Sequence, residues 1–168
     1  MKPVLSMLGL MVLLFSCMFA KVDNSTVPDL DLERYLGTWY EIARFDHGFE
    51  KGIQFATADY SMRPDGKVSV VNEGYKDGKR KTSVGKARTT SDPGRLRVSF
   101  FGPFYADYRV MMVTPDYGYA LVGSRSAGYL WVLSRTPDMP LSVLDSLLEE
   151  AQARGYDMEK LTMVTQNY

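Results

Sequence analysis

This chain of 168 residues lacks a net charge, a second cysteine and a second histidine. A single cysteine excludes an internal disulfide. Lys and Arg together number 20, as do Asp and Glu, so the composition indicates no basic surface for nucleic acid or anionic lipid. The sequence also lacks a nucleophile elbow, a zinc signature and a phosphate loop. We therefore expect no catalytic residues, no metal, no cofactor and no nucleic-acid partner.

The sequence has no long apolar run except at its start. There, Val4 to Ala20 carry no charge and lie between Lys2 and Lys21. This pattern predicts the apolar region of a signal peptide. A retained membrane span is the alternative, but 17 uncharged residues fall short of the ~20 that usually cross a bilayer.

The one cysteine, Cys17, lies near the end of this run, in the sequence Leu14-Phe15-Ser16-Cys17. The sequence resembles the lipobox of bacterial lipoproteins, in which the cysteine becomes the first mature residue and carries acyl chains. We therefore predict a lipoprotein signal peptide over residues 1–16 and a lipidated amino terminus and tether over 17–29. Cleavage after Ala20 is the alternative, and it would remove Cys17 with the signal peptide.

Turn signals divide the remaining chain into short segments of strand length. They are Pro64-Asp65-Gly66, Asp77-Gly78, Asp92-Pro93-Gly94, Gly102-Pro103, Pro115-Asp116 and Ser126-Ala127-Gly128. Gly, Asp and Pro set or tolerate the backbone angles that tight hairpins need. Apolar and polar residues alternate over residues 96–100, which is typical of a strand with one wet face. The pattern predicts an antiparallel meander of eight or so strands.

The segment 129–133 is apolar on both faces, so its outer face requires a cover. An amphipathic helix follows, with Pro140 suited to its first turn and Gly155 suited to its end. Its apolar stripe consists of Leu141, Leu144, Leu147, Leu148 and Ala151. We expect this helix to pack on the outside of the sheet, followed by one short strand over 161–165.

The most informative motif is Gly37-Thr38-Trp39, at the start of the first strand. A tryptophan just after a glycine can lay its indole across one end of a barrel and leave the other end open. Arg135, at the end of the last strand before the helix, carries a guanidinium that can stack on that indole. We assign Gly37, Trp39 and Arg135 a structural role at a closed end.

Three segments in order give the chain a family resemblance: Gly37-Thr38-Trp39-Tyr40, Thr114-Pro115-Asp116-Tyr117 and Arg135. With the helix that follows, they resemble the lipocalins, and the segment 99–105 resembles the bacterial lipocalins related to apolipoprotein D. The resemblance implies one barrel domain over 30–168. Its expected fold is all-β, an eight-stranded antiparallel up-and-down barrel with one carboxy-terminal amphipathic helix packed on its outside.

Members of this bacterial type are outer-membrane lipoproteins that bind fatty acids and lysophospholipids. The resemblance thus implies a non-enzymatic carrier of such lipids, anchored in the outer membrane through Cys17 and facing the periplasm. Met18 agrees with this location, because an aspartate there would retain a lipoprotein in the inner membrane. Bacterial relatives can dimerise, and the aromatic loop near Phe104 would be the contact of a homodimer.

If Trp39 points inward, strict alternation along each strand and the family's pattern assign the barrel lining. The predicted lining residues are Ala58, Tyr60, Val68, Val70, Val98, Phe100, Val110, Met112, Tyr129 and Trp131. They suit an acyl chain and supply hydroxyl groups for a head group near the mouth. Alternatively they fill a solid core, because small barrels can be packed by their own side chains.

Two polar features each have a functional and a structural interpretation. His47 could hold a haem, but no second ligand lies at useful spacing, and an exposed loop histidine is the preferred interpretation. The run Lys79–Ser83 could guide an anionic head group to the mouth, or it could be an edge strand kept charged against aggregation.

Two alternatives to a lipid carrier stay open. One is an interaction protein of the envelope with a filled barrel, whose partner surface includes Phe101, Phe104 and Tyr105. The other is an enzyme acting on a lipid-like substrate, for which no catalytic pair can be named. A cavity large enough for an acyl chain would favour the carrier, since fold alone does not determine function.

Overall fold

A closed antiparallel sheet forms the body of the protein in the computed structural model, which describes residues 22–166. Its strands are β1 (Gly37–Phe45), β2 (Gln54–Met62), β3 (Val68–Lys76), β4 (Lys79–Thr89), β5 (Arg95–Phe101), β6 (Phe104–Val113), β7 (Tyr119–Gly123), β8 (Leu130–Ser134) and β9 (Leu161–Met163). The α-helices of this range are α1 (Leu32–Tyr35) and α2 (Leu141–Ala153), and a 3₁₀ turn spans Met158–Lys160. No helix between residues 22 and 166 is long and apolar enough to cross a membrane.

Strand β1 closes the barrel, because it pairs with β8 along one edge and with β2 along the other. The register sets Trp39 opposite Ala58 on β2. Farther along β1, β9 takes the place of β2 and pairs with residues 43–45. The predicted eight-stranded up-and-down barrel with one carboxy-terminal helix is confirmed, and β9 is a ninth strand attached at the seam.

Two hydrophobic cores result from the alternation of side chains along the strands. The inner core fills the barrel and includes the fully buried Trp39 and Val110. The outer core lies between the sheet and α2, whose Leu144 and Leu147 are buried there. Leu141, predicted in the same helical stripe, is instead 76% exposed in the first turn of α2.

Within residues 22–166 the strand register shifts at four places, and the β-bulges in β6 and β1 change the face that the following side chains occupy. In β6 the irregularity lies between Val110 and Met112, so that Val110 belongs to the inner core and Met112 packs against the outer core. The predicted inward placement of Met112 is therefore wrong, because strict alternation makes no allowance for an extra residue. In β1 the bulge lies between Glu41 and Ala43, and it turns Arg44 toward the barrel interior, opposite Trp131.

The segment from residue 22 to residue 29 lies along the barrel wall rather than extending from it. Val22 is buried in the outer core. The Asn24 side chain donates to the Ser124 carbonyl at 2.8 Å, and the Val27 amide also bonds to the barrel wall. Of the predicted tether over 17–29, the part from Val22 onward is thus fixed to the barrel. Cys17 and the predicted signal peptide over 1–16 lie outside the described residues.

The closed end of the barrel lies where β1 begins. The Arg135 guanidinium carbon is 3.8 Å from the centre of the Trp39 ring, and Trp39 Nε1 donates to the Tyr35 carbonyl at 2.8 Å. Arg135 also donates to the Thr38 carbonyl at 2.9 Å. Gly37 has a φ of +92°, and a Cβ there would lie 3.3 Å from Arg135 Nη1. Gly37, Trp39 and Arg135 therefore meet at this end.

Replacing Arg135 with methionine removes the stacked cation and its hydrogen bonds but keeps an unbranched side chain. We expect the free energy of unfolding to fall by about 2–3 kcal/mol, because a cation–π contact and charged hydrogen bonds are lost together. Urea denaturation followed by tryptophan fluorescence measures the change. In the matched control Arg63→Met, an ion pair with Asp65 is lost from a side chain that is 43% exposed. Its expected cost is below about 1 kcal/mol, and equal losses in both variants would contradict the role of Arg135.

Candidate ligand-binding site

Eight of the ten predicted lining residues lie in or against the inner core. They are Ala58, Tyr60, Val68, Val70, Val98, Phe100, Val110 and Trp131. Tyr129 lies at the open end, where its ring stacks on that of His47 with 4.0 Å between ring centres. Met112 is the tenth residue and lies outside, against the outer core. That the inward-facing residues contact a ligand stays a prediction.

Three tyrosines occupy the interior next to the closed end. The hydroxyls of Tyr35 and Tyr108 are 2.7 Å apart, and the Tyr60 hydroxyl donates to that of Tyr108 at 3.0 Å. Burial raises the pKa of each of these tyrosines, so all three hydroxyls stay protonated at neutral pH. This hydrogen-bonded cluster fills the bottom of the barrel and restricts a ligand to the space nearer the open end.

A charged cluster occupies the interior at mid-height. Arg44, which is 1% exposed, donates to Glu41 Oε1 at 2.7 Å and to Asp46 Oδ1 at 2.8 Å. Its Nη2 donates to the carbonyls of Glu50 and Ile53 at 2.8 and 3.0 Å. A buried guanidinium requires such partners, because an unpaired buried charge is very costly. Arg44 therefore holds the loop that follows β1 in one position.

This loop, residues 46–53, is called the mouth loop here, because it lies across part of the open end. Besides the contact of His47 with Tyr129, the Trp131 Nε1 group donates to Glu50 Oε2 at 3.2 Å. The mouth loop is thus bound to β1 through Arg44 and to β8 through Trp131. His47 is half-buried in this arrangement, not fully exposed as the sequence predicts.

Burial raises the pKa of two carboxyl groups in this region. Burial, reinforced by the nearby charge of Glu41, raises the pKa of Glu50 from 4.5 to about 8. Burial also raises the pKa of Glu41, although the hydrogen bond from Arg44 opposes this effect. At neutral pH the Glu50 carboxyl is therefore largely protonated, and the mouth carries less negative charge than its sequence suggests.

A cavity of about 530 Å³ opens between the mouth loop and the β3–β4 hairpin. Its lining consists of Phe49, Ile53, Lys76, Asp77, Lys79, Lys81, Thr82 and Ser83. Two residues from Ser83, on the same inward face of β4, Gly85 makes room for the Phe100 ring, which lies 2.7 Å from where a Cβ would stand. The volume is within the ~300–1,000 Å³ typical of small-molecule pockets. Basic side chains therefore line this cavity together with Phe49 and Ile53 at the open end.

Two buried polar atoms near this cavity lack a hydrogen-bond partner among residues 22–166. They are Asn72 Oδ1, on the inward face opposite Ser83, and His47 Nε2 in the mouth loop. Buried polar atoms are normally paired, so these two are available to a bound molecule. No group of three or more His, Cys, Asp and Glu side chains in the described part of the chain could hold a metal ion.

Sequence reasoning missed the polar residues of the interior, chiefly Glu41, Arg44, Glu50 and Tyr108. The inward placement of Glu41 and Tyr108 follows from alternation, since Glu41 shares a face with Trp39 and Tyr108 shares a face with Val110. Arg44 faces inward because of the β1 bulge, and the sequence carries no signal for that bulge. Glu50 is placed by the mouth loop, whose conformation depends on Arg44.

Comparison with known proteins shows several similarities. The chain matches the family of lipocalin-like domains over residues 30–166. It is 47% identical over 146 residues to the outer membrane lipoprotein Blc of Escherichia coli (strain K12), covering 84% of this chain and 82% of that protein. Apolipoprotein D of Mus musculus is 32% identical over 149 residues, covering 82% and 78%. The solved structure of insecticyanin from the tobacco hornworm Manduca sexta L. has a TM-score of 0.69 at 22% identity, covering 83% and 82%.

The raised pKa of Glu50 predicts a pH dependence of stability. Between pH 4.5 and about 8 the folded protein keeps a proton that the unfolded chain releases, so the free energy of unfolding falls as the pH rises. Glu50→Gln preserves an acceptor for Trp131 and removes the titration. We expect the variant to lose less stability than the wild type between about pH 5 and about pH 8 in urea titrations. Identical slopes in the two proteins would contradict the assignment.

Proposed function

This chain belongs to the lipocalin family, and from that premise we propose that it binds one amphipathic lipid, a fatty acid or a lysophospholipid, through the mouth of its barrel. The observation that carries this proposal is the cavity of about 530 Å³ at the open end, which lysines line together with Phe49 and Ile53. An amphipathic lipid has the matching two parts, an anionic head group and an acyl chain.

Family membership settles the coarser questions. The chain is a binding protein rather than an enzyme, and its location is the bacterial outer membrane, as in the relatives named for it. The finer arrangement is part of our proposal: residues 1–16 are a lipoprotein signal peptide, Cys17 carries the acyl chains, and the barrel faces the periplasm. Only residues 17–21 would then be free to act as a tether, since the chain is bound to the barrel wall from Val22 onward.

The acyl chain would lie against the inner wall formed by Val98, Phe100 and Trp131. All three are half-buried and pack against the inner core from the side of the open end. The tyrosine cluster blocks the barrel below them, and Arg44 lies beside Trp131. A single chain therefore fits the arrangement better than a lipid with two acyl chains.

The head group would lie among the polar groups at the mouth. Lys79 and Lys81 line the cavity and are exposed, so they can pair with a carboxylate or a phosphate. Asn72 Oδ1 is a free acceptor for a hydroxyl group, such as that of a lysophospholipid. The functional interpretation of the run Lys79–Ser83, guidance of an anionic head group, is thereby part of the proposal.

A second candidate function is an interaction protein with a filled barrel. The filled lower interior favours it, as do the exposed Phe101 and Phe104 of the β5–β6 hairpin. It predicts that a folded protein binds neither class of lipid in the mouth, which separates it from the carrier.

The test compares two tryptophan substitutions on adjacent residues of β4. Ser83→Trp fills the cavity from the inner face, whereas Val84→Trp adds the same ring on the outer face, where Val84 is 65% exposed. We expect native mass spectrometry to show a one-to-one complex of the wild type with lysophosphatidylglycerol or a fatty acid. The affinity should fall at least about tenfold for Ser83→Trp and change less than about twofold for Val84→Trp, because only the first displaces the ligand.

Circular dichroism serves as the control for folding, since residue 83 already lies at an exposed position near the mouth. Unchanged binding by a folded Ser83→Trp variant would contradict the mouth site. A folded wild type that binds no lipid would favour the second candidate function.

A further inference from the structure

Three phenylalanine side chains project from the open end into solvent. Phe49 in the mouth loop is 69% exposed, and Phe101 and Phe104 in the β5–β6 hairpin are 83% and 78% exposed. Every other phenylalanine between residues 22 and 166 is buried or half-buried. Exposed aromatic residues that cluster at one end of a molecule indicate an interaction surface, whereas single exposed apolar residues scattered over a surface are normal.

Basic side chains surround these phenylalanines. They are Lys51, Lys76, Lys79, Lys81, Lys86 and Arg125, on or beside the connections of the open end. None of them forms an ion pair within the described range. Several carboxylates at this end are paired or neutral: Asp46, Glu73 and Asp157 each pair with a cation, and burial raises the pKa of Glu50 so that its carboxyl is largely neutral. Asp77 is the remaining acidic residue of the β3–β4 turn.

The opposite end is richer in exposed carboxylates. Asp29, Asp31 and Glu33 lie exposed around α1, beside the closed end, together with the cation Arg34. The net charge of the chain is a sum and does not show this uneven distribution. The sequence-based expectation of no basic surface for anionic lipid rests on that sum, and binding to anionic vesicles tests it.

The amino-terminal segment also approaches the open end. Asn24 Nδ2 donates to the carbonyls of Ser124 and Arg125 in the β7–β8 connection, at 2.8 and 3.1 Å. Cys17 lies five positions before Val22, and at ~3.4 Å per position this stretch reaches about 17 Å. A nine-residue strand such as β1 is about 30 Å long. An anchor at Cys17 would hold the open end near the bilayer more readily than the closed end.

We propose that the open end is a membrane-docking face, in which Phe49, Phe101 and Phe104 enter the interface of an anionic phospholipid bilayer and the surrounding lysines contact its head groups. Aromatic side chains favour this interfacial region, and each nearby cation adds attraction to an anionic surface. The anchor argument rests on the proposed lipidation of Cys17, whereas the exposed phenylalanines and the charge distribution do not. The docked barrel would present its mouth to the lipid that it takes up.

The test uses a chain that begins at Met18, so that only the protein surface can bind. All nine strands and both hydrophobic cores lie within residues 22–166, and they remain intact in this chain. Co-sedimentation is measured with vesicles of phosphatidylglycerol and phosphatidylethanolamine in equal amounts, and with vesicles of phosphatidylcholine alone. We expect binding to the anionic vesicles that weakens as salt is added, and much weaker binding to phosphatidylcholine.

The decisive variant is Phe101→Ser/Phe104→Ser, because neither residue lines the mouth cavity. Its vesicle affinity should fall at least about tenfold, since two aromatic side chains lose their burial in the interface. The matched control is Leu141→Ser, which removes an equally exposed apolar side chain, 76% exposed, at the start of α2. The control should change the vesicle affinity by less than about twofold.

Two results would overturn the docking face: no binding of the folded wild type to anionic vesicles, or equal binding by the double variant. If the double variant instead abolishes a dimer in analytical ultracentrifugation and leaves vesicle binding unchanged, the hairpin is a protein interface and docking is also overturned. Native mass spectrometry with lysophosphatidylglycerol separates this proposal from the proposed function. Loss of the lysolipid complex with vesicle binding retained would count against the carrier alone.

Discussion

The burial of one guanidinium, that of Arg44, determines how the upper half of this barrel is organised. A charge that is 1% exposed must be paired, and Glu41 and Asp46 supply the carboxylates. The remaining donors of Arg44 bind two mouth-loop carbonyls, which brings Glu50 to the indole of Trp131. The position of the loop depends on this ion cluster, and the charge of Glu41 adds to burial in raising the pKa of Glu50.

The barrel is therefore divided along its axis into a rigid and an accessible part. Trp39 with Arg135 and the three tyrosines make the lower part a packed and hydrogen-bonded floor. The cavity opens beside the mouth loop, where Phe49 and Ile53 meet exposed lysines. The residues that pack the floor and those that line the cavity are therefore different, so the proposed ligand site does not overlap the packed floor.

Sequence alone predicted the parts of the structure that depend on local patterns. Gly37, Trp39 and Arg135 could be assigned to the closed end because their chemistry requires a specific contact. Met112 and Arg44 could not be placed, because each follows a bulge that alternation cannot reveal. The lysines of the open end could not be recognised as a group, because the net charge is a sum over the chain and carries no information on position.

Solution NMR of the protein with lysophosphatidylglycerol, labelled with ¹³C in its acyl chain, tests most directly whether the barrel holds a lipid. We expect intermolecular NOEs from the acyl protons to the side chains of Val98, Phe100 and Trp131, and none to Met112 or Leu144 of the outer core. NOEs confined to the outer surface, with the inner-wall signals unchanged, would contradict a ligand held in the barrel.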